Sequence, residues 1–142
     1  MSTTASSIEE FNTGIVQEAY KKWSDKGNPE LFFAVVSPDI KLHSLSGGEA
    51  PLEFTRSTTG IDELKQYFSG LADQWELVEH KSDRFIAQGD FVVMHGSCHW
   101  THKGTKKPFK TAKVDIWKMK DSKVVEFHEF FDTRKAVEAA TP

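Results

Sequence analysis

From Glu76 to Phe131 the apolar residues recur at every second position, whereas before Glu76 they recur at every third or fourth. A period of two is the pleat of a β-strand, whose successive side chains face opposite ways. Three turn signals, Gly89-Asp90, Lys103-Gly104 and Asp121-Ser122, cut this half of the chain. They predict four strands, at about 76–88, 91–102, 109–119 and 124–131. Connections so short force sequential strands to pair antiparallel. The second half of the chain is therefore one sheet, and the first half must cover a face of it.

The first half has the periodicity to do so. Ser7-Ile8-Glu9-Glu10 reads as a capping box that starts a helix. Ile8, Phe11, Ile15, Ala19 and Trp23 form its apolar stripe, with Tyr20 beside it, and the stripe ends before Asp25-Lys26-Gly27-Asn28. Pro29 suits the first turn of a short second helix running to Val36, which Pro38 stops. A strand is expected over 39–45. A third helix follows Thr59-Gly60, with Ile61, Leu64, Phe68, Leu71 and Trp75 on one face. The loop 46–57 between them is rich in glycine and polar residues; it is expected to be short of core contacts, to be among the more mobile segments near the pocket and to cover its mouth. Helices on one face of a single antiparallel sheet make an α+β architecture, and a strongly curved sheet of this kind closes a cone around a pocket.

Composition narrows the function classes. The 142 residues suit a single domain, 1–142, and 38% hydrophobic content, with 11 Phe and 4 Trp, fills a core of that size. The 18 Lys and Arg against 21 Asp and Glu argue against a nucleic-acid partner. The one cysteine, Cys98, has no partner for a disulfide and is expected to be packing. The longest apolar run, 31–36, is far short of the ~20 residues that cross a bilayer, so a soluble cytoplasmic protein with no membrane contact is expected. His95, His99 and His102 lie close in sequence, but on a strand the first two are about 13 Å apart and the third faces the other way, so no metal is expected. Ser46-Gly47-Gly48 lacks the lysine of a phosphate loop, and no cofactor is expected. Lys103, Lys106, Lys107 and Lys110 read as a solvated hairpin.

The order helix, glycine turn, short helix, Pro-Asp strand, helix and four long strands resembles the NTF2-like superfamily, and within it the SnoaL-like and ketosteroid-isomerase-like branch. The resemblance is carried by Val16-Gln17-Glu18-Ala19-Tyr20 before Gly27-Asn28, Ser37-Pro38-Asp39-Ile40, Gly60, Ala87-Gln88-Gly89-Asp90, Val114-Asp115-Ile116-Trp117 and Lys123-Val124-Val125 before Glu129-Phe130-Phe131-Asp132. It implies the NTF2-like cone, a curved antiparallel sheet packed against three N-terminal helices. The fold hosts isomerases, hydrolases, cyclases and silent binding domains, so activity must come from the site.

Resemblance to ketosteroid isomerase implies that Tyr20 and a protonated Asp115 form an oxyanion hole. The isomerase's general base falls near Ser44, which cannot act as one, leaving His43 or Glu129 to move a proton. By strand alternation Asp115 shares a face with Phe109, Thr111, Lys113 and Trp117; alignment with the family adds Phe127, Glu129 and Phe131. Two carboxyls in an aromatic space raise each other's pKa, while Lys113 would instead hold Asp115 ionised. The catalytic candidates are thus Asp115, Tyr20, His43 and Glu129, and the ligand-binding candidates Trp23, Trp100, Lys113, Trp117, Phe127 and Phe131. The expected partner is a small apolar or carbonyl-containing molecule, with isomerase-like proton transfer as one outcome and silent binding as another. An epoxide-hydrolase-like reading would have Lys113 bridge Asp115 and Glu129, a geometry better suited to arginine. Outward-facing Val114 and Ile116 predict a homodimer through the outer sheet.

Overall fold

The computed structural model of the chain describes residues 4–142. Helix α1 spans Thr4–Trp23, α2 Glu30–Val35 and α3 Ile61–Gln74; strands run β1 Val36–Ser44, β2 Thr58–Thr59, β3 Trp75–Gln88, β4 Phe91–His102, β5 Pro108–Lys120 and β6 Lys123–Phe131; a last helix, α4, spans Thr133–Ala140. The four long strands fall where the period of two placed them. The sheet order is β2-β1-β6-β5-β4-β3. All neighbours are antiparallel except β1 and β6, which run parallel, as the long excursion between them permits. The expected α+β cone is formed, and the structure adds to it one parallel pairing and a fourth helix.

Curvature comes from irregularities in β3. Register shifts between Leu77 and Glu79 and between Ser82 and Arg84 insert extra residues opposite β4. At the second shift the strands approach so closely that a Cβ on Gly96 would lie 1.9 Å from the Lys81 carbonyl oxygen. Only glycine fits there. The sheet wraps around α1, α2 and α3, and the core lies in the concavity, where Val16, Ile40, Leu42, Val92, Met94 and Val124 are fully buried.

Three expectations are revised. Helix α1 is already under way at Thr4, so it does not start at Ser7; that residue's side chain, and with it the capping box, lies outside the described residues. The buried face of α1 is rotated from the expected stripe. Asn12, Val16, Ala19, Tyr20 and Trp23 face the sheet, and Phe11 is 60% exposed. Two stripes at helical spacing share Ala19 and Trp23, and docking selects the one that carries Tyr20. The loop 46–57 is not short of core contacts. Leu52 is buried beside Trp75, Phe109 and Ala136 of α4, and the buried Thr55 hydroxyl donates to the Leu52 carbonyl at 2.6 Å while accepting the Gly48 N–H at 3.0 Å. Helix α4 is capped by Asp132, whose side chain accepts from the Lys135 N–H at 3.1 Å. Among the described residues no helix is long and apolar enough to cross a membrane.

Candidate functional site

Alternation along the strands decides what faces the concavity. Strand β5 presents Phe109, Thr111, Lys113, Asp115, Trp117 and Met119 inward, β6 presents Phe127, Glu129 and Phe131, and β1 presents Ile40, Leu42 and Ser44. Helix α1 adds Tyr20 and Trp23, and α3 adds Tyr67 and Phe68. All of these except Thr111, Met119 and Ser44 line a cavity of about 90 Å³. All four tryptophans of the chain line it. A void of that size has room for several water molecules or one small organic group.

Against this aromatic wall the polar groups gather in one place. Asp115, Glu129 and Ser44 stand in register across β5, β6 and β1, side by side on the inner face. The Trp117 indole N–H donates to the Tyr20 oxygen at 2.8 Å, and the Tyr20 hydroxyl donates to Asp115 Oδ2 at 2.5 Å. An indole N–H is only a donor, so the tyrosine's single proton is directed to the carboxyl. Lys113 Nζ reaches the same Oδ2 at 3.2 Å. One strand away, the Tyr67 hydroxyl donates to Glu129 Oε1 at 2.6 Å. Asp115 is 1% exposed and Glu129 6%. Asp115 Oδ1 and the Ser44 hydroxyl have no hydrogen-bond partner among the described residues.

Burial sets the titration of these groups. It pushes the Asp115 carboxyl above its usual range, opposed by the Lys113 ammonium and reinforced by Glu129. Burial alone would lower Lys113, but the Asp115 carboxylate holds it above its ordinary value. Tyr20 and Tyr67 are raised well above the usual phenol range, first by burial and then by the carboxyl beside each. Both therefore keep their protons and remain donors. His80 of β3 stacks on Tyr20, with ring centroids 5.3 Å apart and planes 9° apart, and burial lowers it to about 3. It is neutral at pH 7.

The structure brings nine of the ten sequence candidates to one cavity: Tyr20, Trp23, Trp100, Lys113, Asp115, Trp117, Phe127, Glu129 and Phe131. His43 does not join them. It stands on the opposite face of β1, stacked on His128 at 4.7 Å, with Nδ1 3.2 Å from the Ser57 hydroxyl. Inward Leu42 and Ser44 on either side settle its phase, so His43 has no path to a proton in the cavity. Lys113 pairs with Asp115 and not with Glu129, so the two acids are not bridged as the hydrolase-like reading required. Among the described residues no group of three or more His, Cys, Asp or Glu is placed to hold a metal. Cys98 lines the cavity, buried, its thiol pushed up by that burial. Sequence reasoning missed Tyr67 and His80. Tyr67 is three residues beyond Leu64, so the α3 stripe already contained it; nothing local marked His80, whose phase depends on the β3 bulge between Leu77 and Glu79.

A family model described as a SnoaL-like domain matches residues 16–127. The chain belongs to the SnoaL-like family. The SnoaL-like match begins at Val16, on the buried face of α1, and ends at Phe127 on β6, so it spans most of the cavity. An NTF2-like protein from Burkholderia pseudomallei K96243 superimposes with a TM-score of 0.83 at 21% identity, over 93% of this chain and 98% of that one. An NTF2-like protein from Burkholderia thailandensis E264 gives 0.80 at 26% identity, over 92% and 98%. TerC, co-crystallized with polyporic acid, gives 0.77 at 20% identity, over 92% and 98%. These likenesses show the NTF2-like cone. No curated protein matches the sequence.

Proposed function

We propose that this SnoaL-like protein binds a small, largely apolar molecule in the cone, burying its body among the aromatic rings and docking a polar group on Lys113, Asp115, Tyr20 and Glu129. One observation carries the reading. Two buried carboxyls and a largely buried ammonium stand in a wall that is otherwise mainly aromatic and aliphatic. Removing charges from water costs several kcal/mol each, and packed apolar residues of similar volume hold a fold as well or better. Such groups therefore point to a ligand. Lys113 gives one N–H to Asp115 and has further donors for a carbonyl or hydroxyl oxygen. TerC offers a precedent for a small molecule with the same fold.

Because all four tryptophans line the cavity, intrinsic fluorescence reports binding there. Titration with polyporic acid, acetophenone and benzyl alcohol should give saturable quenching for at least one of them, and Lys113→Met should weaken the oxygen-bearing probes. Linear, unsaturable quenching by all three would remove the reading.

Proton transfer on a carbonyl substrate is a second reading, favoured by the register of Glu129 with Ser44. Glu129 thus stands beside the position where isomerase-like relatives carry their base, and Lys113 is the donor available to a developing oxyanion. Loss of an α-deuteron from deuterated acetophenone, abolished by Glu129→Gln, would support it. Exchange at the solvent rate would exclude that substrate class.

On the convex face, Val114 and Ile116 are half-buried and Phe130 is 38% exposed. We infer a homodimer through this face. Sedimentation should show twice the 16.1 kDa chain mass at micromolar concentration; a species of one chain mass would refute it.

A further inference from the structure

Two carboxyls, of Asp115 and Glu129, and one ammonium, of Lys113, line the cavity. Lys113 is the one cation within 4.0 Å of either acid among the described residues, and its ion pair is with Asp115. Glu129 has a phenol for its partner and no cation. Asp115 Oδ1, in a residue 1% exposed, is unpartnered, and so is the hydroxyl of Ser44 at the same level of the sheet. These three neighbours thus stand in one row across β5, β6 and β1, with one ammonium for two carboxyls.

We propose that the ligand carries a protonated amine, whose ammonium sits against Glu129 and Asp115 Oδ1 while its apolar body lies among the tryptophans. This deepens the reading of the cavity as a ligand site and rests on it. An ammonium supplies up to three N–H donors, enough to reach Asp115 Oδ1 and Glu129 together, and a positive charge for the carboxyl that has no cation. A hydroxyl supplies one donor and no charge. A carboxylate would add acceptors and charge of the sign already in excess. The aromatic faces favour the same choice, because a ring attracts a cation over its face and does so more strongly where water is excluded. Trp117 and Phe127 belong to this wall beside Asp115 and Glu129, with centroids 4.5 Å apart.

The test uses three probes of one shape on the full chain at pH 7: benzylamine, which is protonated there, benzyl alcohol and toluene, followed by tryptophan fluorescence. Benzylamine should bind at least tenfold tighter than benzyl alcohol, and Glu129→Gln should remove that preference. The amine-to-alcohol ratio is measured on the unaltered protein, so it decides even if the variant does not fold. Equal binding of amine and alcohol would overturn the proposal and leave the cavity reading intact. A preference that survives Glu129→Gln would place the ammonium elsewhere and also overturn it. Failure of all three probes to quench would remove the cavity reading and the proposal together.

Discussion

Strands β5 and β6 carry two lysine–carboxylate pairs, one on each face of the sheet. On the concave face Lys113 meets Asp115 at 3.2 Å with side-chain exposures of 13% and 1%. On the convex face Lys118 meets Glu126 at 3.7 Å with exposures of 41% and 35%. The residue types are nearly the same and the titration differs in sign. Asp115 is raised, because burial outweighs its cation. Glu126 is lowered, by its contact with His128 and then by Lys118, since water still solvates the charge. An ion pair in this protein therefore has no fixed value. Its meaning is set by the face it occupies, and strand parity alone decides that.

The largest expected consequence is in stability. Lys113→Met leaves Asp115 buried without its cation, a change that costs about 3–5 kcal/mol when a buried pair is broken. Urea unfolding at pH 7 should show this loss, and the double variant Lys113→Met/Asp115→Leu should recover more than half of it. The deficit should shrink on acidification. A carboxyl raised in the folded state favours folding when protonated and disfavours it as pH rises through its folded value, so the unpaired Asp115 is least harmful at low pH. A single-variant loss below 1 kcal/mol would mean the concave pair is no different from the convex one.

His80 sharpens the contrast through acid sensitivity. Its folded value of about 3 lies below the ordinary 6.5, so the unfolded chain takes up a proton that the folded chain refuses. Stability from this group is complete above 6.5 and falls as pH drops toward 3, by up to about 1.4 kcal/mol per pH unit. His80→Phe retains a ring to stack on Tyr20 and should flatten the acid limb by up to one proton's worth. An unchanged slope would show that His80 charges freely in the folded protein.

A smaller effect is expected at Tyr67, which gives Glu129 its hydrogen bond. Tyr67→Phe keeps the ring that packs against Phe54 and Phe68 and removes the donor, a loss of about 2 kcal/mol for a buried acceptor left without its partner. Thermal or urea unfolding would measure it, and a neutral result would mean that Glu129 is held by other contacts.

What was legible in the sequence follows from the same parity. The period of two placed β3 to β6 within a residue or two, and it put Lys113, Asp115 and Trp117 on one face. It could not decide His43, because β1 runs through Pro38 with a register shift between Val36 and Lys41, which alternation alone does not reveal. It also failed on β3, where the bulge between Leu77 and Glu79 changes the phase and brings His80 inside although an unbroken count from Trp75 would turn it outward. Helix α4 had its Asp132 cap in plain view, but its inward residues are Ala136 and Ala139, too small to mark an apolar stripe. The parallel pairing of β1 with β6 is a long-range event with no local signature.

The convex pair should matter least, and that is the most discriminating expectation. Lys118 contacts Glu126 at 3.7 Å and also lies 5.9 Å from the Phe91 ring centroid, while His128 Nε2 approaches Glu126 at 3.4 Å. Solvent-exposed pairs typically contribute 0.2 to about 1 kcal/mol and are screened by salt. Lys118→Ala should therefore change stability by about 0.5 kcal/mol or less at pH 7, and 1 M salt should erase the difference. Because Glu126 is lowered in the folded state, its contribution is present above the ordinary carboxylate value and lost as pH falls through the folded one, so any effect should vanish in acid. A loss above about 2 kcal/mol that depends on protein concentration would mean that a second copy covers this face and desolvates the pair. In that case the convex face would follow the rule of the concave one, and the homodimer would be responsible.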